Sequence, residues 1–403
     1  MFNAQSALQA SNSSHRVQIS GEQSRLDIDE KTRTSVLPWR GQFSPQLVEY
    51  FIEKNLKGGG LIVDPFSGSG TVLYEAAAHG CEAIAKDINP AAIALAKASS
   101  ICSIPKTQRC VVLDEVERFA SMLKHKASER ETLLSAEDAA REFQEQYSDL
   151  RSPEISQAFL MAAFGDAKEL KLKSLDRAIN TIRRLVVGAP YSAGILAAEI
   201  GDARDLDIAT SSADYLITSP PYINVFNYHQ NYRPIIQELG HVPLTSARAE
   251  IGANRKFRMN RYITVAQYCI DIALFFSEAA RILKQGRPMT IVLGRESNVR
   301  GVSFKNGELV AAIAAEGLGG IITEWNERSF LNRFGAVIYE DVLTIVPKSK
   351  PEAVTIGIGR SVGLEALKSS LEYAPEDRRE DIENAILAAQ TVEPSPYVLK
   401  ENK

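Results

Sequence analysis

The chain has 403 residues, 45% of them hydrophobic and 24% charged, which suits a protein with a full core and excludes disordered, collagen-like and disulfide-stapled classes. A formal net charge of −4 offers no bulk electrostatic case for nucleic-acid binding, so any such surface must be a local patch. Four cysteines with no CxxC pair and five separated histidines suggest neither a zinc site nor a disulfide framework.

Residues 1–34 are polar and without helical or strand period, and are expected to form a flexible N-terminal arm. The opening MFNAQSALQASNSS lacks the basic start and apolar stretch of a secretory signal, and no apolar run of about 18 residues announces a membrane span. A cytoplasmic protein is the expectation. From Trp39 onward short apolar runs alternate with helical ones: Leu61 to Val63, Val72 to Ala78, Ala83 to Ala85, then a helix after Pro90. Between residues 111 and 187 the texture turns charged and helix-forming, which reads as a helical insertion with a solvated face. Strand candidates resume at Ile195 to Ile200, Asp214 to Thr218, Met289 to Leu293, Gly320 to Thr323 and Asp341 to Val346. Seven strands alternating with helices predict an α/β fold, a seven-stranded Rossmann-like sheet formed by residues 35–110 and 188–348. Residues 349–403 carry helices near Leu364 to Glu372 and Asp377 to Ala389.

The string LIVDPFSGSGTV puts an aspartate at the end of a buried strand, then a Gly-Ser-Gly turn, then a helix start. Glycines there let backbone approach a ligand at the carboxyl edge of the sheet. A phosphate-binding loop would need Gly-Lys-Ser/Thr, and here Gly70-Thr71-Val72 follows; a dinucleotide fingerprint would need glycine where Leu73 stands. Neither nucleotide hydrolysis nor NAD chemistry is expected.

Asp64-Pro65-Phe66-Ser67-Gly68-Ser69-Gly70-Thr71 resembles motif I of the S-adenosylmethionine-dependent amino-methyltransferases that act on exocyclic base nitrogens. The resemblance implies S-adenosyl-L-methionine as cofactor and no metal. Asp87, with Ile88 after it, ends the second strand where a carboxylate can accept both ribose hydroxyl hydrogen bonds. Gln42, Phe43 and Ser44 look like the motif X that closes over the methionine part, and Asp202 and Ala203 like a motif III whose acid meets the adenine.

Thr218 is followed by Ser219-Pro220-Pro221-Tyr222. Two prolines end a central strand. In the resembling family this is the reacting motif: Ser219 and the Pro220 carbonyl would accept the N–H groups of a base amine, Tyr222 would stack on a base flipped from the duplex, and Ser219 would also border the cofactor. Serine before Pro-Pro-Tyr goes mostly with cytosine N4 in that family; adenine N6 is the alternative. Carbon-5 methylation would need a cysteine after proline, and none of the four has one. A guanine-N2 RNA methyltransferase and a non-catalytic nucleic-acid-binding subunit are the rival readings.

From His229 to Arg261 five arginines and one lysine face two glutamates, with aromatic residues interleaved. Tyr228, Arg233, Arg255, Lys256, Arg258 and Arg261 are the expected contacts to double-stranded DNA, and Arg295, Arg300, Arg328 and Arg333 could line the same edge. The insertion reads as a recognition or partner surface. A restriction endonuclease or other defence-system protein is the partner the resemblance suggests.

Overall fold

A computed structural model describes residues 22–129, 133–224, 227–253, 256–332, 334–348 and 355–398. Seven strands form one sheet: β1 (Leu61–Asp64), β2 (Glu82–Asp87), β5 (Leu196–Ile200), β6 (Tyr215–Thr218), β7 (Met289–Gly294), β10 (Ile321–Leu331) and β11 (Val337–Val346), in the order β10-β11-β7-β6-β1-β2-β5. The five strands from β5 to β7 in that order are parallel, and β11 pairs antiparallel with both β7 and β10. The β1 and β6 strands are buried on both faces, so they read as unbroken apolar runs, and the parallel sheet needs helices on each side. The chain runs outward from β1 through β2 to β5, then returns to the other side of β1 at β6. That reversal opens a crevice at the carboxyl ends of β1 and β6, the place where open α/β sheets bind ligands.

The seven-stranded expectation holds, with one difference of scale. The last two strands are far longer than the runs Gly320 to Thr323 and Asp341 to Val346, because they pair as a hairpin along ten register positions. A second hairpin, β8 (Glu296–Val299) with β9 (Val302–Lys305), follows β7. The helix α11 (Ile263–Ile282) is long and apolar enough to cross a bilayer, yet its residues are largely buried within the protein. Phe275, Phe276 and Tyr268 on it are wholly buried, and side chains of this kind contribute roughly 1.5–3 kcal/mol each.

Where the helical insertion is expected, the described residues form α5 (Arg109–Glu129), β3 (Leu134–Ser135), α6 (Ala136–Gln146), α7 (Pro153–Phe164), β4 (Glu169–Leu170), which pairs with β3, and α8 (Leu172–Gly188). Phe119 packs edge-on against Phe143 and Phe159 at its centre. Its two ends are tied by one buried side chain, Arg109, whose guanidinium donates to the carbonyls of Ile104, Val186, Ala189 and Pro190. The C-terminal helices α13 (Ile356–Ser370) and α14 (Glu376–Ala389) add Val362, Leu367, Ile382 and Ala385 to the sheet's own core, so they are part of the domain rather than an extension of it.

The arm expected over residues 1–34 needs correcting where it is described. Residues 22–34 pack on the sheet: α1 (Gln23–Asp27) buries Leu26, Gln23 donates to the Glu327 carbonyl, and Asp27 accepts from the Ser329 amide. Arg33 pairs with Glu49 and Glu75 at 2.7 Å each. Residues 1–21 lie outside the described residues.

Candidate active site

Asp64 ends β1 and is 1% exposed. Its Oδ1 accepts from Thr218 Oγ1 at 2.6 Å and from the Phe66 amide at 3.2 Å, which joins the ends of β1 and β6. Burial pushes its carboxyl up to about 7, against the two hydrogen bonds. The turn that follows needs two left-handed residues, Gly68 at φ +51° and Gly70 at φ +81°, before α3 (Thr71–Ala78) begins. The Gly68 amide donates to Asp87 Oδ2 at 3.0 Å, and the Asn89 amide to Asp87 Oδ1 at 2.8 Å. Each oxygen keeps a lone pair. Burial raises the Asp87 carboxyl to about 6. Asn89 then caps α4 (Pro90–Ala96), accepting from the Ala91 amide.

A cavity of about 880 Å³, counting its open mouth, lies over this turn, within the range of small-molecule sites. Gln42, Phe43, Pro65, Phe66, Ser67, Gly68, Thr71, Asp87, Ile88, Asp202, Ala203 and Ser219 all line it. Asp64 and Gly70 lie inside the turn and shape it. Ser44 borders a neighbouring cavity, and Ser69 another beside α3. The Ser67 Oγ is buried without a hydrogen-bond partner, a cost of about 1–3 kcal/mol that a polar ligand would relieve. The sequence reading missed Trp39, Asn89 and Glu250 in this wall. Trp39 stacks between Tyr228 and Tyr232 at 6.5 and 6.1 Å, and its aromatic run with motif X was the available signal.

Asp202 lines the cavity but its carboxylate is engaged. Arg204 donates to both its oxygens, at 2.9 and 2.7 Å, and also to Asp271 Oδ1 at 2.7 Å and to the carbonyls of Ser395 and Pro396. An adenine contact from Asp202 therefore has to share a carboxylate already paired with a fully buried guanidinium.

Ser219 follows β6 and lines this cavity together with a second one, of about 1740 Å³ with its mouth, walled also by Phe43, Ser44, Val292, Arg328, Phe330 and Glu340. Pro221 borders the first cavity. Pro220 is buried, and Tyr222 lines neither cavity: its ring lies over Gly294 of β7 and its hydroxyl is 3.5 Å from Ser219 Oγ. One side of the Tyr222 ring is thus packed against β7, and the side chain is half-buried.

Tyr228 also moves, from expected DNA contact to cavity wall, with burial raising its phenol to about 12. Lys256 is turned inward, donating to Ser395 Oγ, and burial lowers its ammonium to about 8; it does not present a charge to a phosphate. Arg258 is exposed, Arg261 half-buried, and Arg233 half-buried with hydrogen bonds to Gln230 and Gln237. Arg255 and Arg333 lie outside the described residues. Arg300 pairs with Asp381, and Arg295 with Glu327. Glu49, Glu53 and His79 come within ligating distance of one another, but Arg33 and Arg25 already hold the two carboxylates as ion pairs.

The DNA methylase family model matches residues 10–98, the stretch holding Gln42 to Ser44, the Asp64 to Thr71 turn and Asp87. Over 67 residues the chain is 43% identical to Type II methyltransferase M.MjaII of Methanocaldococcus jannaschii, covering 16% of this chain and 13% of that protein. It is similar to the structure of a SAM-dependent methyltransferase from Methanosarcina mazei, with 13% identity over 74% of this chain and 98% of that one and a TM-score of 0.35. For the rRNA methyltransferase aviRa from Streptomyces viridochromogenes the values are 14%, 88%, 98% and 0.32. The segment that builds the turn and its acid is thus similar to the DNA methylase family and to a Type II methyltransferase, of whose length the chain spans only a small part.

Proposed function

We propose that the protein is an S-adenosylmethionine-dependent DNA methyltransferase acting on an exocyclic base amine, cytosine N4, of a nucleotide flipped out of the duplex. The observation that carries this reading is the position of Ser219 on the wall common to two cavities. One cavity has the features a nucleoside with a cationic tail requires: a carboxylate, Asp87, with free lone pairs; an orphaned hydroxyl, Ser67; and aromatic walls from Trp39, Phe43 and Phe66. The other is wide enough for a base.

When bound, the cofactor supplies an electrophilic methyl group. The protein's own task is to make the amine nucleophilic. Its lone pair is delocalised into the ring, and acceptors for its N–H groups favour the tetrahedral nitrogen of the transition state. Ser219 Oγ and the Pro220 carbonyl are those acceptors. The Tyr222 hydroxyl beside Ser219 fixes the serine's rotamer. Phe43 and Phe330 line the second cavity and offer aromatic surface to a base there. The relative's description as a Type II methyltransferase supports a modification role beside a restriction endonuclease.

Ser219→Ala tests this directly. Cofactor affinity by calorimetry stays within about twofold, while turnover falls by about tenfold or more, as for loss of a transition-state hydrogen bond. Equal losses in both would make Ser219 a structural residue and remove the basis of the proposal.

A further inference from the structure

Neither Arg328 nor Glu340 has a part in the chemistry above, yet the two form a charged pair in the wall of the second cavity, which Ser219 also lines. They face each other in the β10–β11 hairpin, at one register position, and Glu340 in turn pairs with Gly294, over which the Tyr222 ring lies. Arg328 is 6% exposed, and its guanidinium lies over the Phe330 ring at 4.9 Å. Its Nε stands 3.3 Å from Glu340 Oε2, but the geometry is not that of a hydrogen bond, and the Nε is left unpartnered. A buried fork of donors with an unspent N–H, lining a cavity beside the reacting serine, is costly unless a ligand pairs with it.

We infer that Arg328, held by Glu340, reads the edge of the target base beyond its amine and selects cytosine. This rests on the reading of Ser219 as the amine acceptor. With the amine at Ser219, cytosine presents N3 and then O2 along the same edge, two acceptors that a guanidinium can meet bidentately. Adenine presents N1 and then C2–H, which leaves one buried donor unpaired. A site built to hydrogen-bond an acceptor rejects a base that lacks it far more strongly than a shape-matched pocket can. Glu340 supplies the counter-charge that keeps the guanidinium in place; burial raises its carboxyl, and Arg328 opposes that rise.

The test uses the full chain with plasmid DNA and S-adenosylmethionine, and measures N4-methylcytosine and N6-methyladenine by nucleoside mass spectrometry. For Arg328→Met the expected result is a loss of N4-methylcytosine formation of roughly ten- to a hundredfold, with cofactor affinity unchanged, since Arg328 does not line the cofactor cavity. Arg328→Lys keeps the buried charge without the fork, and is expected to lose at least about tenfold with a raised KM for DNA. It serves if the methionine variant fails to fold. Wild-type rates in a folded Arg328→Lys or Arg328→Met protein overturn this inference alone. N6-methyladenine as the wild-type product also overturns it while leaving an amino-methyltransferase. No methylated deoxynucleoside from the wild-type protein overturns the proposed function and this inference with it.

Discussion

Two glycines two residues apart should fail in different ways when each is replaced by alanine. Gly70 sits at φ +81°, and an added Cβ would stand 2.9 Å from Ala96 Cβ and 3.0 Å from Ala96 Cα, atoms of a packed helix that cannot swing aside. The left-handed conformation costs alanine about 1–2 kcal/mol, and forced overpacking typically about 1–3 kcal/mol more. Gly70→Ala is therefore expected to lose about 2–5 kcal/mol of unfolding free energy, a large part of what a domain has. At Gly68, φ +51°, the added Cβ would meet Trp39 Cδ1 at 2.7 Å, a side chain in the cavity wall, stacked on Tyr228 and Tyr232, that can shift where helix backbone cannot. Gly68→Ala should lose only about 1–2 kcal/mol, from backbone strain, but its cofactor affinity should drop about tenfold or more as the wall opens. Urea unfolding of the protein without cofactor gives the first quantity and calorimetric titration the second. A Gly70→Ala protein within about 0.5 kcal/mol of wild type, or a Gly68→Ala protein binding cofactor normally, would refute this account of the turn.

Three further outcomes follow from the electrostatics. Asp87 must be ionised to accept both ribose hydroxyls, and burial raises it to about 6, so cofactor affinity should be level above about pH 7 and fall as pH drops through about 6; a flat profile for the wild type would remove Asp87 from the site. Asp64 is raised to about 7 in the fold against about 3.9 unfolded; its proton's contribution to stability is fully present below about pH 4 and lost as pH rises through about 7, and Asp64→Asn should flatten that slope in urea melts. Arg204 is fully buried between Asp202 and Asp271, so Arg204→Ala should cost about 3–5 kcal/mol by leaving two carboxylates uncompensated; a loss under about 1 kcal/mol would mean both carboxyls simply take up protons. Finally, Arg258→Ala with Arg261→Ala should flatten the salt dependence of DNA binding while Lys256→Ala does not, because Lys256 points inward to Ser395; the reverse pattern would place the phosphate contacts elsewhere.

The turn that walls the first cavity was legible because its residues are local. Asp64, the Gly68 to Gly70 turn and Asp87 lie within one strand-turn-helix-strand unit, where spacing alone fixes geometry. The position of Ser219, the serine proposed to hold the amine, was legible for the same reason, as two prolines mark the end of β6. What escaped depends on long-range pairing. The strands β10 and β11 carry polar runs, Asn326 to Ser329 and Glu340 to Asp341, that break any alternation, and nothing local says that they run on as a hairpin. The turn residues Asn332 and Gly335 between them were the signal that could have shown it. Only that pairing brings Arg328 and Glu340 to the cavity that Ser219 also lines. Orientation was equally hidden: Lys256 reads as a surface cation beside Arg258, yet the residue that claims it, Ser395, itself bonded to Asp271 of α11, arrives from the far C-terminus. Tyr222 reads as a stacking platform, and its burial over Gly294 depends on β7. Residues 22–34 look featureless because Leu26, Gln23 and Arg33 are anchored by partners elsewhere in the chain.

The most direct test of the central claim is mass spectrometry of nucleosides from plasmid DNA incubated with the full chain and S-adenosylmethionine carrying a deuterated methyl group. The account predicts labelled N4-methylcytosine from the wild-type protein and at least about tenfold less from Ser219→Ala. Cofactor binding without any labelled deoxynucleoside would contradict it.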